Sequence, residues 1–202
     1  MSLLQKEKLF MLLHCCCAPC TSYVLEVLEP EYRISILFYN PNIEPAAEYD
    51  KRRAEMFRLL EKREEDRRVQ NSLPNHPEYL PIKFIEVEYD NAAFNNAVES
   101  LRNEPEGGER CRVCFDMRLR KTAQEAKAGK YDIFATTLSV GPLKDANIIN
   151  EIGSRLSEEY SVSFLPANFK TRDGFKRSVE LSKSYGLYRQ GYCGCNVNFE
   201  LT

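Results

Sequence analysis

Lys8-Leu9-Phe10-Met11-Leu12-Leu13-His14-Cys15-Cys16-Cys17-Ala18-Pro19-Cys20 decides the fold. Residues 8–14 form an apolar run of strand length, and Pro19 sits where a first helical turn accepts a residue without an N–H. The stretch therefore reads as a buried strand that turns a tight corner into a helix reaching about Leu28. A second strand follows at about Ile34–Tyr39, then the Asn40-Pro41-Asn42 turn, then a long helix opening at Glu44-Pro45. That helix is charged almost all round, from Glu48 to Arg68, and reads as a solvated face laced with i,i+4 ion pairs. Lys51, Arg52 and Arg53 are its candidate partner surface. Residues 71–81, with Pro74, Pro77 and Pro81, read as a connecting loop that leaves His76 exposed.

Beyond the loop the alternation resumes. Ile82–Glu88 has the period-two pattern of a strand, and a short helix runs from about Asn91 to Leu101. Glu104-Pro105-Glu106-Gly107-Gly108 is a turn before a helix that carries Cys111 and Cys114 and closes at Gly129. A strand at Asp132–Leu138, a helix at Lys144–Glu159, a strand at Val162–Leu165 and a helix at Gly174–Tyr185 complete the set. Strands alternating with helices imply βαβ units, hence a single Rossmann-like α/β domain over residues 1–202, with a mainly parallel sheet flanked by helices. In such a sheet ligands bind beyond the carboxyl ends of the strands, where the first cysteine cluster must lie.

The chain has 202 residues, with 28 basic side chains against 30 acidic ones and a net charge of −2. With 43% hydrophobic residues it can bury a core, which excludes a disordered or fibrous chain. No apolar run approaches the roughly 20 residues of a membrane span, and Leu9–Leu13 is too short for a signal-peptide core, so a cytoplasmic protein is expected.

All eight cysteines fall in three clusters: Cys15, Cys16, Cys17 and Cys20; Cys111 and Cys114; Cys193 and Cys195. A reducing compartment disfavours disulfides, which leaves thiolate ligation or redox chemistry. Two C-x2-C pairs alone suit a structural zinc site. With Cys16 and the Cys193-Gly194-Cys195 segment the soft donors number at least seven, more than one zinc uses, and favour an iron–sulfur cluster beside a second metal. A thioredoxin-like dithiol at Cys17 and Cys20 would leave four cysteines without a task. No G-x-G-x-x-G, Walker A or Ser-Gly-Gly loop follows the first strand, which argues against ATP use. His14, Asp116 and Tyr192 are the candidate catalytic residues, as proton donors or groups that orient ligands.

The motifs His14-Cys15-Cys16-Cys17-Ala18-Pro19-Cys20, Cys111-Arg112-Val113-Cys114 and Tyr192-Cys193-Gly194-Cys195 resemble those of the cobalamin-independent epoxyqueuosine reductases, the QueH family. Thr136-Thr137-Leu138 with Pro142 and Lys144, and the run Ser184–Gln190, resemble that family in order and spacing. The resemblance implies removal of the epoxide oxygen of epoxyqueuosine at the wobble position of a tRNA anticodon. It implies a 4Fe-4S cluster and a second, separately held iron, shared among Cys16, Cys17, Cys20, Cys111, Cys114, Cys193 and Cys195. Cys15 departs from the family pattern and should face away from its neighbours, and Gly141 replaces a different small residue. Electrons should come from an external low-potential donor such as a ferredoxin-like protein.

A net charge of −2 requires a local basic patch for tRNA. Lys144, Lys170, Arg172, Lys176, Arg177, Lys183 and Arg189 are the candidates, with Phe169, Phe175, Tyr188 and Tyr192 as rings on which a base can stack. An iron–sulfur sulfurtransferase acting on tRNA and a structural zinc-binding module are the alternative classes.

Overall fold

The computed structural model of the protein describes residues 7–71 and 81–195. The loop read at 71–81, including His76, lies almost wholly outside them. Five strands form one parallel sheet: β1 (Leu9–His14), β2 (Tyr32–Phe38), β3 (Lys83–Glu86), β4 (Ile133–Thr136) and β5 (Ser163–Phe164), in the order β3-β2-β1-β4-β5. Six α-helices connect and flank them: α1 (Ala18–Leu28), α2 (Ala46–Asn71), α3 (Asn91–Ala97), α4 (Glu109–Ala128), α5 (Ala146–Tyr160) and α6 (Gly174–Ser184). The expected α/β architecture is present.

Strand periodicity sorts the core into two layers. Met11, Leu13, Ile34, Ile36 and Phe38 point to one face of the sheet and pack on Val24, Leu25 and Leu28 of α1 and on Met56 and Leu59 of α2. Leu12, Leu37 and Phe134 point to the other, onto Phe115, Leu119 and Ala123 of α4 and Ile149, Ile152 and Leu156 of α5. The solvated reading of α2 holds for most of its length, but Glu48, Arg52 and Glu55 are buried. The helix therefore turns a polar stripe inward near its start, where apolar periodicity gives no warning.

Several elements are shorter than their sequence patterns. The fourth strand stops at Thr136 because the Thr136 hydroxyl accepts the Leu138 N–H (3.2 Å), and the chain coils into a 3-10 turn at Leu138–Val140. The helix expected at 91–101 begins with Asp90 accepting the Ala93 N–H and breaks at Val98 into a 3-10 turn, Glu99–Leu101. No helix among the described residues is long and apolar enough to cross a membrane.

The chain winds outward from β1 through β2 to β3, then returns to β4 on the opposite side of β1. The carboxyl ends of β1 and β4 thus bound the crevice at the point where winding reverses, the position at which an open α/β sheet receives its ligand.

Candidate functional site

The corner after β1 is built from backbone bonds that leave its sulfurs free. Cys15 N–H donates to the Leu37 carbonyl (3.0 Å), and Cys17 is the extended residue before α1. Pro19 lacks an N–H, and the Thr21 hydroxyl and N–H both close on the Cys17 carbonyl (2.8 and 3.2 Å). The helix start therefore draws on no cysteine side chain for capping. Cys16 Sγ lies 4.0 Å from Cys17 Sγ and 3.9 Å from Thr137 Oγ1. Cys15 points the other way, fully buried among the β1, β2 and α1 side chains with its thiol toward the Leu13 carbonyl (3.6 Å).

Opposite this corner, α4 carries Cys111 and Cys114 in its first two turns, and the Gly107 N–H donates to Cys111 Sγ (3.1 Å). Cys114 packs with Cys195, Phe94 and Val98. Cys193 and Cys195 hold their sulfurs 3.6 Å apart on a segment docked by one backbone bond, Glu44 N–H to the Gly194 carbonyl (2.9 Å). The approach is so close that a Cβ on Gly194 would stand 2.6 Å from Ile43 Cγ1 and 3.0 Å from Ile43 Cα.

Between corner, α4 and tail lies a cavity of about 330 Å³, walled by Cys16, Cys17, Cys20 and Cys193 together with Arg52, Arg118, Lys144, Phe175, Arg189 and Tyr192. All eight cysteines are free thiols. As they stand, no three Cys, His, Asp or Glu side chains among the described residues close on one point as metal ligands.

The cavity's electrostatics favour a few thiolates strongly. Hydrogen bonds from Cys17 and Cys20 hold Cys16 well below the ordinary thiol range against its burial, and the Arg118 guanidinium adds to the effect. Cys17 is pushed up to about 12, chiefly by its bond to Cys16, and Cys20 is raised by both neighbours. In the tail, the bond from Cys195 and the ammonium of Lys144, whose Nζ is 3.3 Å from the sulfur, hold Cys193 low against burial. In the corner the lowered thiol is Cys16 and in the tail it is Cys193.

His14 is fully buried behind the corner and does not wall the cavity. Its Nδ1 is 2.9 Å from Thr136 Oγ1, and its Nε2 is 3.1 Å from the Tyr39 carbonyl and accepts from Arg118 Nε (3.3 Å). Burial and Arg118 lower its pKa to about 3, so it is neutral at physiological pH. Asp116 faces away from the cavity, held by Arg120 (3.1 Å) and by Arg155 of α5. Tyr192 does wall the cavity, its ring 5.3 Å from the Arg52 guanidinium.

The expected basic and aromatic patch divides. Arg189 and Phe175 wall the cavity together, the guanidinium 4.8 Å from the ring centroid. Lys144 bridges Cys193 and Glu106 (2.5 Å), and Lys170 donates to the Lys144 carbonyl. Arg177 pairs with Glu26 on the outer face, while Arg172, Lys176 and Lys183 are exposed. Phe169 is core, and Tyr188 lies beneath Lys51 (3.5 Å) with its hydroxyl on Glu48.

Sequence reading passed over Arg118, took Asn40 only as a turn residue and took Arg52 only as part of a partner surface. Arg118 donates to Asn40 Oδ1 (2.7 Å) and Cys114 Sγ (3.7 Å), and Asn40 donates to the Cys15 carbonyl (3.0 Å). The available signal was spacing: Arg118 is four residues after Cys114 on one helical face.

A protein-family model described as epoxyqueuosine reductase QueH matches residues 11–200. Among curated proteins named epoxyqueuosine reductase QueH, that of Streptococcus pyogenes serotype M1 is 40% identical over 185 residues, covering 92% of this chain and 68% of that protein. The Staphylococcus epidermidis protein is 39% identical over 94% of this chain and 76% of its own length. The Thermotoga maritima protein is 35% identical, with 92% and 88% covered.

Proposed function

Because the chain belongs to the epoxyqueuosine reductase QueH family, we propose that it deoxygenates epoxyqueuosine at the wobble position of a tRNA anticodon, giving queuosine. The observation that carries the reading is that Cys16, Cys17 and Cys20 of the corner and Cys193 of the tail, far apart in sequence, wall one cavity at the reversal point of the sheet, with Cys114 of α4 packed against Cys195. The donor set fits a thiolate-held iron centre: seven sulfurs, no competing disulfide, and cations placed to support negative charge. Cys16, Cys17, Cys20, Cys111, Cys114, Cys193 and Cys195 would hold a 4Fe-4S cluster and a second metal, an iron. When bound, these groups supply single electrons and a Lewis acid for the epoxide oxygen.

Opening the epoxide to an alkene takes two electrons and two protons and releases the oxygen as water. Tyr192 is the proton donor best placed for this. It is in the cavity wall, and burial together with the nearby Glu48 raises its pKa, so the phenol keeps its proton until an oxygen with developing charge demands it. The neutral His14 orients the corner from behind. Phe175, 37% exposed and backed by Arg189, offers a stacking face to an extruded base, and Arg189 offers a cation to the adjoining backbone. A ferredoxin-like protein is the proposed electron source.

Iron and sulfide analysis with electron paramagnetic resonance on anaerobically purified protein tests the reading, followed by mass analysis of nucleosides from epoxyqueuosine-containing tRNA. Iron with acid-labile sulfide, a reducible signal and conversion to queuosine are expected. Zinc without sulfide, and unchanged tRNA, would overturn it.

A further inference from the structure

Around the cysteines the fold buries more positive charge than negative. Arg118 is 3% exposed, and its polar contacts are Asn40 Oδ1, His14 Nε2 and Cys114 Sγ; none is a carboxylate. Arg110, 6% exposed, donates to the Arg102 carbonyl, and its Nε has no partner among the described residues. Arg52 and Lys144 have one carboxylate each, Glu48 and Glu106. Four cations thus meet two carboxylates at this site. Lysine or histidine in such a place can shed its proton, but a guanidinium cannot, so a buried arginine requires an anion nearby. The groups left to supply it are the sulfurs. Arg118 reaches Cys114 Sγ directly, 3.7 Å from its guanidinium.

We infer that Arg118, supported by Arg110, is the built-in counter-charge of the cysteine-held centre: it strengthens thiolate ligation and makes the centre easier to reduce. The inference rests on the proposed iron–sulfur reading for its redox half and on the thiolates alone for its binding half. A metal ion gathering several thiolates leaves a net negative site in a low-dielectric pocket, and each added electron deepens it. A fixed cation within hydrogen-bond reach of a ligand sulfur offsets both.

Three measurements on Arg118→Met, Arg118→Lys and Arg110→Met test this. Metal-free, reduced protein is titrated with Co(II) and followed by the thiolate-to-cobalt absorption. Arg118→Met should bind about tenfold more weakly, with Arg118→Lys recovering most of the affinity because it keeps the charge. In protein loaded with iron and sulfide and titrated with dithionite under resonance detection, Arg118→Met should show a tenfold lower reduced-to-oxidised ratio at a fixed potential, about 59 mV more negative for one electron. Arg110→Met should move the midpoint the same way by less. Metal-free Arg118→Met should melt no lower than the parent, because an unpaired buried charge has been removed.

Unchanged cobalt affinity and midpoint, with equal loss of melting temperature in metal-free and loaded protein, would overturn the inference and make Arg118 a clamp between α4, β1 and the Asn40 turn. A shift in Arg118→Lys as large as in Arg118→Met would overturn it too. Should Arg118→Met fail to fold, the Lys and Arg110 variants decide. Parent protein that holds no iron or sulfide, yet loses cobalt affinity on Arg118→Met, would overturn the proposed function and leave the counter-charge standing.

Discussion

The corner at Cys16–Cys20 and the tail at Cys193–Cys195 supply sulfurs to the same cavity but are held in opposite ways. The corner grows out of the central strand: β1 pairs on both sides, and its exit is fixed by backbone bonds to Leu37 and within α1. Among the described residues, the tail rests on one backbone bond from Glu44, the fit of Gly194 against Ile43, the contact of Cys195 with Cys114, and the approach of Lys144 to Cys193 and of Arg52 to Tyr192. One set of sulfurs is fixed by the central sheet, and the other is held by a few contacts of a segment far along the chain. Local stability of this kind varies across a structure and is lowest where few buried contacts hold the chain.

Four substitutions probe that contrast. Cys17→Ser, in the corner, should abolish activity by roughly a thousandfold or more and empty the protein of iron and sulfide, since the chemistry belongs to the bound group. Iron retained at the parent level would show that the corner is not the anchor. Tyr192→Phe, beside the tail, should lower turnover by about 10²–10⁴-fold, as loss of a positioned proton donor does, with metal content unchanged. Turnover equal to the parent would remove Tyr192 from the reaction.

Gly194→Ala separates docking from ligation. The added methyl meets Ile43, and overpacking of about 1–3 kcal/mol falls on the tail alone, so metal occupancy and activity should drop about tenfold while the melting temperature of the metal-free protein stays within about 2 °C. A large fall in melting temperature would mean that the tail is part of the cooperative core. Cys15→Ala is the smallest change. It should cost about 1 kcal/mol by removing a buried sulfur from the core and leave iron content and turnover alone. Loss of iron would place Cys15 among the ligands.

The layout of the sheet was legible because strand and helix periods differ, and because apolar runs such as Leu9–Leu13 fit only a strand of that length. The cysteine clusters were legible as clusters. Their cations were not, since Arg118 reaches His14 and Asn40, residues 104 and 78 positions away, and only packing of α4 on β1 brings them together. Asp116 shows the converse. Two residues after Cys114 it stands on a different face of α4, and Arg120 and Arg155 claim its carboxylate. Phe169 and Phe175 are equally aromatic in sequence, yet one is core and the other borders the cavity, because the turn before α6 reverses the chain between them.

The late-docking tail has a consequence for how the protein is made. Cys193 and Cys195 leave the ribosome about 170 residues after Cys20, which at roughly 5–20 residues per second is a delay on the order of ten seconds or more. The corner thiols wait for that whole interval, and the α4 thiols for about the last 80 residues of it, before the tail sulfurs are made. The cysteine site is therefore complete only once the tail has been made, however early the corner folds.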